Sequence, residues 1–323
     1  MTPSNAYLPA VDSDDASADY LRYLETVSIG TLTQALAKIE DQAAWSDMTE
    51  SAGERTAQRV IDALREGRPF SMVRIGDGEG NILGAFDPDF EKARHFSARG
   101  ILQMMFGTAD FAVSEIEAMR VGLAAAARHA DVLGVSDPMR IAGLQGLREK
   151  SEDSQDVRGG MGSYESILQT ALLLRHNEGS SPAAVTNHVH RYMLPHLPAV
   201  IGAAHAVTLI GPYDLRLEFA ATFGRDDLRV HQIPNQASNA PGQGAKWYPE
   251  HYHTMLNDLE IAPGALFMVA AGLLGKELCH RIKMGGGVAI DIGSAVDVWR
   301  GVPVRRYHDP GFIAQHRLRS ARD

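Results

Sequence analysis

The sequence predicts an α/β fold, a mostly parallel and doubly wound sheet with helices on both faces. Two observations predict it. Short apolar runs of strand length recur from Phe70 onward, and helical periodicities fill most of the intervals between them. Glycine and proline punctuate the changes from one period to the other, as turns require. Alternation of this kind needs a parallel sheet, because parallel neighbours are joined by helical crossovers.

The elements follow in order. Tyr20, Tyr23, Leu24 and Val27 recur at helical spacing, and Leu32, Leu36 and Ile39 continue it after Gly30, so two short helices joined near Gly30 form an N-terminal helical extension. The polar, acidic stretch 40–54 reads as a boundary. A helix around Ala57, Val60, Ile61 and Leu64 ends at Gly67, and Gly67 with Pro69 feeds a buried strand at 70–73. Ser114-Glu115-Ile116-Glu117 has capping-box form and opens a helix through Met119 and Leu123. A strand at 132–135 and a helix at 164–174 capped by Ser163 come next. Further strands are expected at 184–186, 206–211, 228–233, 266–271 and 288–292, with a helix at 215–223 stopped by Gly224. The resulting architecture is Rossmann-like. Its expected divisions are an extension at 1–55, a catalytic domain at 56–310 and a tail at 311–323. No internal repeat or low-complexity tract is visible.

Composition excludes several classes. At 45% hydrophobic and 22% charged, the 323 residues have the make-up of an ordinary globular protein. A formal net charge of −9 argues against nucleic acid as the main partner. The single cysteine, Cys279, excludes an internal disulfide framework, fits a reducing cytoplasm, and sits in an apolar-periodic helix as a core residue would. No uncharged apolar run reaches spanning length, and the polar, acidic start has no apolar core of a signal peptide. A cytoplasmic protein is expected.

Chemistry concentrates at the end of the first strand of the sheet. Arg74-Ile75-Gly76-Asp77-Gly78-Glu79 directly follows Phe70-Ser71-Met72-Val73. It is expected to deliver two carboxylates, at i and i+2, onto a flexible loop at the edge where open parallel sheets bind ligands. Two close carboxylates and an arginine suit Mg2+ or Mn2+ carrying phosphates. The same residues also suit a solvated acidic turn whose glycines supply positive φ.

Three other places have functional form. Residues 266–276 read as a strand, a turn at Gly272 and a helix start bearing Lys276, a geometry that presents backbone N–H groups to an anion, though without P-loop or dinucleotide spacing. Gly285-Gly286-Gly287 precedes a buried strand ending in Asp291, Ile292 and Gly293, where Asp291 is either a site acid or a cap for the backbone that follows. The segment 234–249 is a long polar loop, and Asn235, Lys246, Trp247 and Tyr248 in it suit a base, a phosphate or a sugar under a mobile lid. The pairs His188/His190 and His251/His253 fall at helix starts, where i and i+2 diverge, so they argue against a metal site. No Gly-x-Ser-x-Gly elbow supports a serine hydrolase.

Taken together, 70–79 resembles the Arg-x-Gly-Asp-Gly-Glu signature of the GT-D glycosyltransferases. Ile233-Pro234-Asn235 is similar to that family's strand-Pro segment before a Tyr-bearing helix. Residues 266–276 look like its strand-Gly-helix, and Ala289-Ile290-Asp291-Ile292-Gly293 looks like its near-terminal Asp-Ile-Gly strand, with Asp297 and Trp299 just beyond. The matches are collinear over roughly 56–300. Ser294 stands where the family pattern has histidine, the loop at 236–247 is longer, and the helices before Glu54 are additional.

The resemblance implies a metal-dependent transferase that moves a sugar from a nucleotide-diphosphate sugar, a UDP-sugar being favoured, to a sugar or other hydroxyl-bearing acceptor. It implies catalytic roles for Asp77, Glu79 and Arg74, with Asp77 and Glu79 holding Mn2+ or Mg2+. Gly76, Gly78, Asn187, Gly211, Asn235, Lys246, Tyr248, Gly272, Lys276, Asp291 and Gly293 are the expected nucleotide-sugar contacts. A noncatalytic nucleotide-sugar binding protein and a metal-dependent phosphohydrolase are the alternatives. The apolar stripes of the N-terminal helices also suit the interface of a homodimer.

Overall fold

The computed structural model describes residues 6–136, 157–175, 181–239, 247–305 and 308–319. Its strands are β1 (Trp45–Asp47), β2 (Phe70–Arg74), β3 (Val132–Val135), β4 (Ala183–Thr186), β5 (Val207–Gly211), β6 (Arg229–Gln232), β7 (Leu266–Val269) and β8 (Val288–Asp291). They pair in parallel within one sheet of order β1-β4-β3-β2-β8-β7-β5-β6. The expected α/β class is therefore the observed one. Every residue of β3, β4, β5, β7 and β8 is buried, so both faces of those strands are covered. The outermost strands, β1 and β6, keep partly exposed residues.

The α-helices up to β4 are α1 (Ser13–Thr26), α2 (Ile29–Gln42), α3 (Ala52–Glu66), α4 (Asp77–Leu83), α5 (Glu91–Phe106), α6 (Val113–His129) and α7 (Val157–Arg175). Beyond it come α8 (Val189–Tyr192), α9 (Leu197–Ala203), α10 (Arg216–Phe223), α11 (Glu250–Asp258), α12 (Leu274–Met284), α13 (Ala295–Arg300) and α14 (Pro310–His316). The chain forms two compact units, each built from two segments. One comprises Met1–Met48 with Arg74–Asn187, the other Thr49–Val73 with His188–Asp323. No helix among the described residues is long and apolar enough to cross a membrane.

In the first unit, α1 packs on α5 and α2 on α7. Tyr23, Leu24, Val27, Leu32, Leu36 and Ile39 are buried there, so the stripes read as a dimer face are covered by the chain itself. The break between the two helices falls at Val27 and Ser28, not Gly30. Ser28 accepts the Thr31 N–H at 3.1 Å as an N-cap, and Gly30 lies inside α2. The acidic stretch read as a boundary holds β1, which pairs with β4 from Trp45 opposite Ala183 to Asp47 opposite Val185.

Two helix starts also differ from expectation. Helix α6 begins at Val113, where the Glu115 carboxylate accepts the Ala112 N–H at 2.7 Å, so Glu115 and not Ser114 makes the cap. Ser163 is an interior residue of α7, not its cap. Helices α4 and α7 cross closely, because a Cβ on Gly80 would lie 2.1 Å from the Gly162 carbonyl oxygen. One on Gly162 would lie 2.1 Å from the Asp77 carbonyl oxygen.

In the second unit, Gly67 ends α3 in the left-handed region (φ 61°) and β2 follows, with Phe70 opposite Val288 of β8. Helix α10 ends in the same way at Gly224 (φ 65°). The expected tail contains α14, and Leu318 beyond it is buried and donates its N–H to the Trp299 carbonyl at 3.1 Å. Cys279 is buried within α12.

Candidate functional site

The Gly-Asp-Gly-Glu segment is a helix start, not a flexible loop. Asp77 is the first residue of α4, and the Glu79 carboxylate turns back to accept the Gly76 N–H at 2.8 Å. Gly76 has no side chain to cap the helix, so Glu79 satisfies a backbone donor that would otherwise lack a partner. Glu79 is accordingly buried, at 8% exposure, whereas the Asp77 side chain is 38% exposed with Arg158 Nη1 3.8 Å from its Oδ2. Residues at i and i+2 of a helix do not face each other, so the two carboxylates are not presented as a pair.

Arg74 leaves the end of β2 over the next strand of the first unit. A Cβ on Gly134 of β3 would lie 2.8 Å from Arg74 Cγ, so only glycine leaves room for that stem. The guanidinium donates through Nη1 to the Asn187 carbonyl at 3.2 Å, just past the end of β4. Asn187 is held by its own N–H, which bonds the Val135 carbonyl at 2.8 Å. It is 6% exposed, and its Oδ1 accepts no hydrogen bond among the described residues. Arg74 and Asn187 thus meet at the carboxyl ends of β2 and β4, with Gly76 and Asp77 next along the chain, on the edge where parallel sheets bind ligands.

In the second unit the strand-Gly-helix forms as expected, with Gly272 (φ 55°) and Gly293 (φ 45°) in left-handed turns after β7 and β8. Its lysine turns inward. Lys276 is buried and donates to the Gly272 carbonyl at 2.9 Å, while the Asp291 carboxylate lies 3.2 Å from the same ammonium. Lys276 and Asp291 thus form a buried ion pair between the start of α12 and the end of β8.

Within the long loop, Lys246 lies outside the described residues. Trp247 and Tyr248 are buried, each ring packed against Tyr252, with centroids 5.6 and 5.5 Å apart. They anchor this end of the segment and do not line an open face. Asn235 keeps a polar role, because its Nδ2 donates to the Tyr213 hydroxyl at 3.4 Å. Gly211 ends β5, its carbonyl accepting the Ile233 N–H at 3.0 Å. Gly78 is buried in the first turn of α4.

Two side-chain groups escaped sequence reasoning. Tyr213 donates to Asp297 Oδ1 at 2.9 Å. Burial, opposed by the Tyr213 bond and Arg305, pushes the Asp297 carboxyl up to about 6. Burial and the facing Asp297 push Tyr213 up to about 12. In the first unit, Glu165 accepts Tyr23 OH at 2.8 Å and Gln169 Nε2 at 2.9 Å, and its Oε2 lies 2.8 Å from Arg94 Nη1. These partners are far apart in sequence and belong to no short motif. Asp297 had a signal only through its place just beyond the Asp-Ile-Gly strand.

No family model, no curated protein and no solved structure matches this chain.

Among the described residues, no group of three or more His, Cys, Asp and Glu side chains is placed to hold a metal ion. A hard divalent cation that binds through one protein carboxylate, phosphate oxygens and water needs no such group. The geometry fits Asp77 to that single role and does not fit Glu79, whose carboxylate is committed to the Gly76 N–H.

Proposed function

We propose that the chain moves a sugar from a nucleotide-diphosphate sugar to a hydroxyl-bearing acceptor, with the donor held at the Arg74–Asn187 site. Asn187 carries the reading. A buried carboxamide oxygen with no donor is costly to the free protein and is satisfied by a ligand N–H or O–H, such as a base or sugar supplies. The Arg74 guanidinium beside it suits the diphosphate of the same ligand, since its planar fork pairs with phosphate oxygens. Asp77 would supply one oxygen to Mg2+ or Mn2+, which when bound neutralises the charge that develops on the leaving diphosphate. Glu79 acts before any ligand arrives, by fixing the backbone turn that aims Asp77.

The test is release of nucleoside diphosphate from a panel of UDP-sugars with Mn2+. Asp77→Asn is expected to lower release at least about a hundredfold, the usual scale for losing a group that meets transition-state charge, without changing Tm. Asn187→Leu is expected to weaken donor binding. Full-rate release by Asp77→Asn would overturn the assignment, and inorganic phosphate as the sole product would make the protein a phosphohydrolase.

A further inference from the structure

We infer that Tyr213, Asn235 and Asp297 form a second ligand site, within the second unit, that binds the adjacent hydroxyls of a sugar ring. The three residues follow β5, β6 and β8, whose ends lie on one edge of the parallel sheet. They are joined as a chain, Asn235 Nδ2 to Tyr213 OH at 3.4 Å and Tyr213 OH to Asp297 Oδ1 at 2.9 Å. Asp297 is 6% exposed, and its Oδ2 accepts no hydrogen bond among the described residues. Tyr213 and Asn235 are only half-buried, so the group is reached from solvent.

The chemistry selects the ligand. A carboxylate oxygen and an amide N–H, one on each side of the Tyr213 hydroxyl, present an acceptor and a donor, and a hydroxyl is the group that both donates and accepts. An ammonium offers donors alone and leaves the amide unmatched. A phosphate meets the carboxylate charge and is repelled. A pair of neighbouring hydroxyls satisfies Asp297 Oδ2 with one O–H and Asn235 with the other. Such a diol comes from the ribose of a nucleotide or from a hexose. The transferase reading bears only on which of these sources is used.

The charged surroundings define the pH response. Arg305 and Tyr213 act on Asp297, Arg300 acts on Tyr213, and Arg300 is itself held by Glu218 at 2.8 Å. Helix α14, packed on α13, brings Asp309 and His316, and His316 is shifted by burial alone. Because burial raises the Asp297 carboxyl to about 6, the acceptor is ionised above that pH and protonated below it.

The experiment is saturation-transfer NMR on the full chain with two probes, uridine and methyl α-glucopyranoside, each titrated across that range. Saturable binding of at least one probe is expected, weakening as pH falls through about 6. Asp297→Asn is expected to weaken it about tenfold, the scale of one charge-assisted hydrogen bond, and to flatten the pH profile. Tyr213→Phe, which removes the phenol but leaves the carboxylate, is expected to retain the pH dependence. Preference for uridine assigns the ribose and preference for the glycoside assigns a hexose. Failure of both probes to bind, or equal affinity and pH profile in wild type and Asp297→Asn, overturns the site. Diol binding without turnover of any UDP-sugar would remove the transferase reading and leave this site standing.

Discussion

Asp297 shows how one residue ties a binding chemistry to a stability cost. Burial raises its carboxyl from 3.8 to about 6, so the folded chain holds this proton more tightly than the unfolded chain does. Its contribution to stability is complete below the ordinary value and is lost as pH rises through about 6. A shift of that size corresponds to about 3 kcal/mol. Asp297→Asn, which keeps the neutral shape, is therefore expected to be more stable than wild type by up to that amount near pH ~7 and to match it under acid conditions. Urea titrations at the two pH extremes check this, and a variant less stable at neutral pH would contradict it. Glu79 is the opposite case. Its bond to Gly76 is a cap, so Glu79→Ala is expected to cost about 1 kcal/mol of stability, and Glu79→Gln, which retains an acceptor, much less. Differential scanning calorimetry separates that loss from any change in turnover. The sequence displayed both carboxylates, but it could not show that one of them is bound to the backbone. A capping box is recognised by a side chain at its first position, and here that position is Gly76.

At the scale of elements, close approach is the organising feature of the first unit. Gly80 and Gly162 let α4 and α7 touch backbone to backbone, which fixes the helix that carries Asp77. Either glycine changed to alanine would force the helices apart, with an expected cost of about 1–3 kcal/mol from overpacking and a parallel loss of donor affinity. An unchanged Tm in both variants would show that the crossing tolerates movement. The Tyr23–Glu165–Arg94 group locks α1, α7 and α5 together. Glu165→Ala takes the nearer carboxylate from the buried Arg94 guanidinium, leaving Asp87 at 3.5 Å, and strands the Tyr23 hydroxyl; it is expected to cost about 1–3 kcal/mol, measured by chemical denaturation.

Some elements were legible and others were not, for physical reasons. Strands such as β3, β7 and β8 announced themselves because an apolar run between turns has few other uses. Helix α5 did not, since its buried face carries Arg94, His95 and Ser97 and so breaks the apolar period. Strand β1 is three residues at an edge, too short to show a period. The Lys276–Asp291 pair depends on α12 folding back along β8, which no local pattern records.

At the scale of the whole molecule, each unit draws on two separated segments. The sequence pattern sets 1–55 apart as an N-terminal extension. The structure buries the apolar faces of α1 and α2 in the first unit, with Ile39, Leu32 and Tyr23 fully enclosed, and adds β1 to the edge of the sheet. Deleting 1–50 would uncover that core. The expected outcome is aggregation or loss of helical signal, read by light scattering and circular dichroism. A soluble, folded truncate of altered oligomeric state would instead restore a dimer role for these helices. The net charge of −9 falls on a chain whose proposed donor is itself anionic, so Arg74 and Arg158 must act locally against the overall field.

The bond from Tyr23 to Glu165 spans 142 residues, and β1 waits on β4, which is later still. A ribosome adding about 5–20 residues per second needs roughly 7–28 seconds to bridge that interval. For that time α2 leaves the exit tunnel with its apolar stripe uncovered and its partner α7 not yet made, whereas α1 has α5 to pack on sooner. The nascent chain is therefore expected to be a client for holding chaperones at its N-terminus. Slow codons placed before the α7 region would lengthen that exposure and lower soluble yield, without altering one residue of the finished protein.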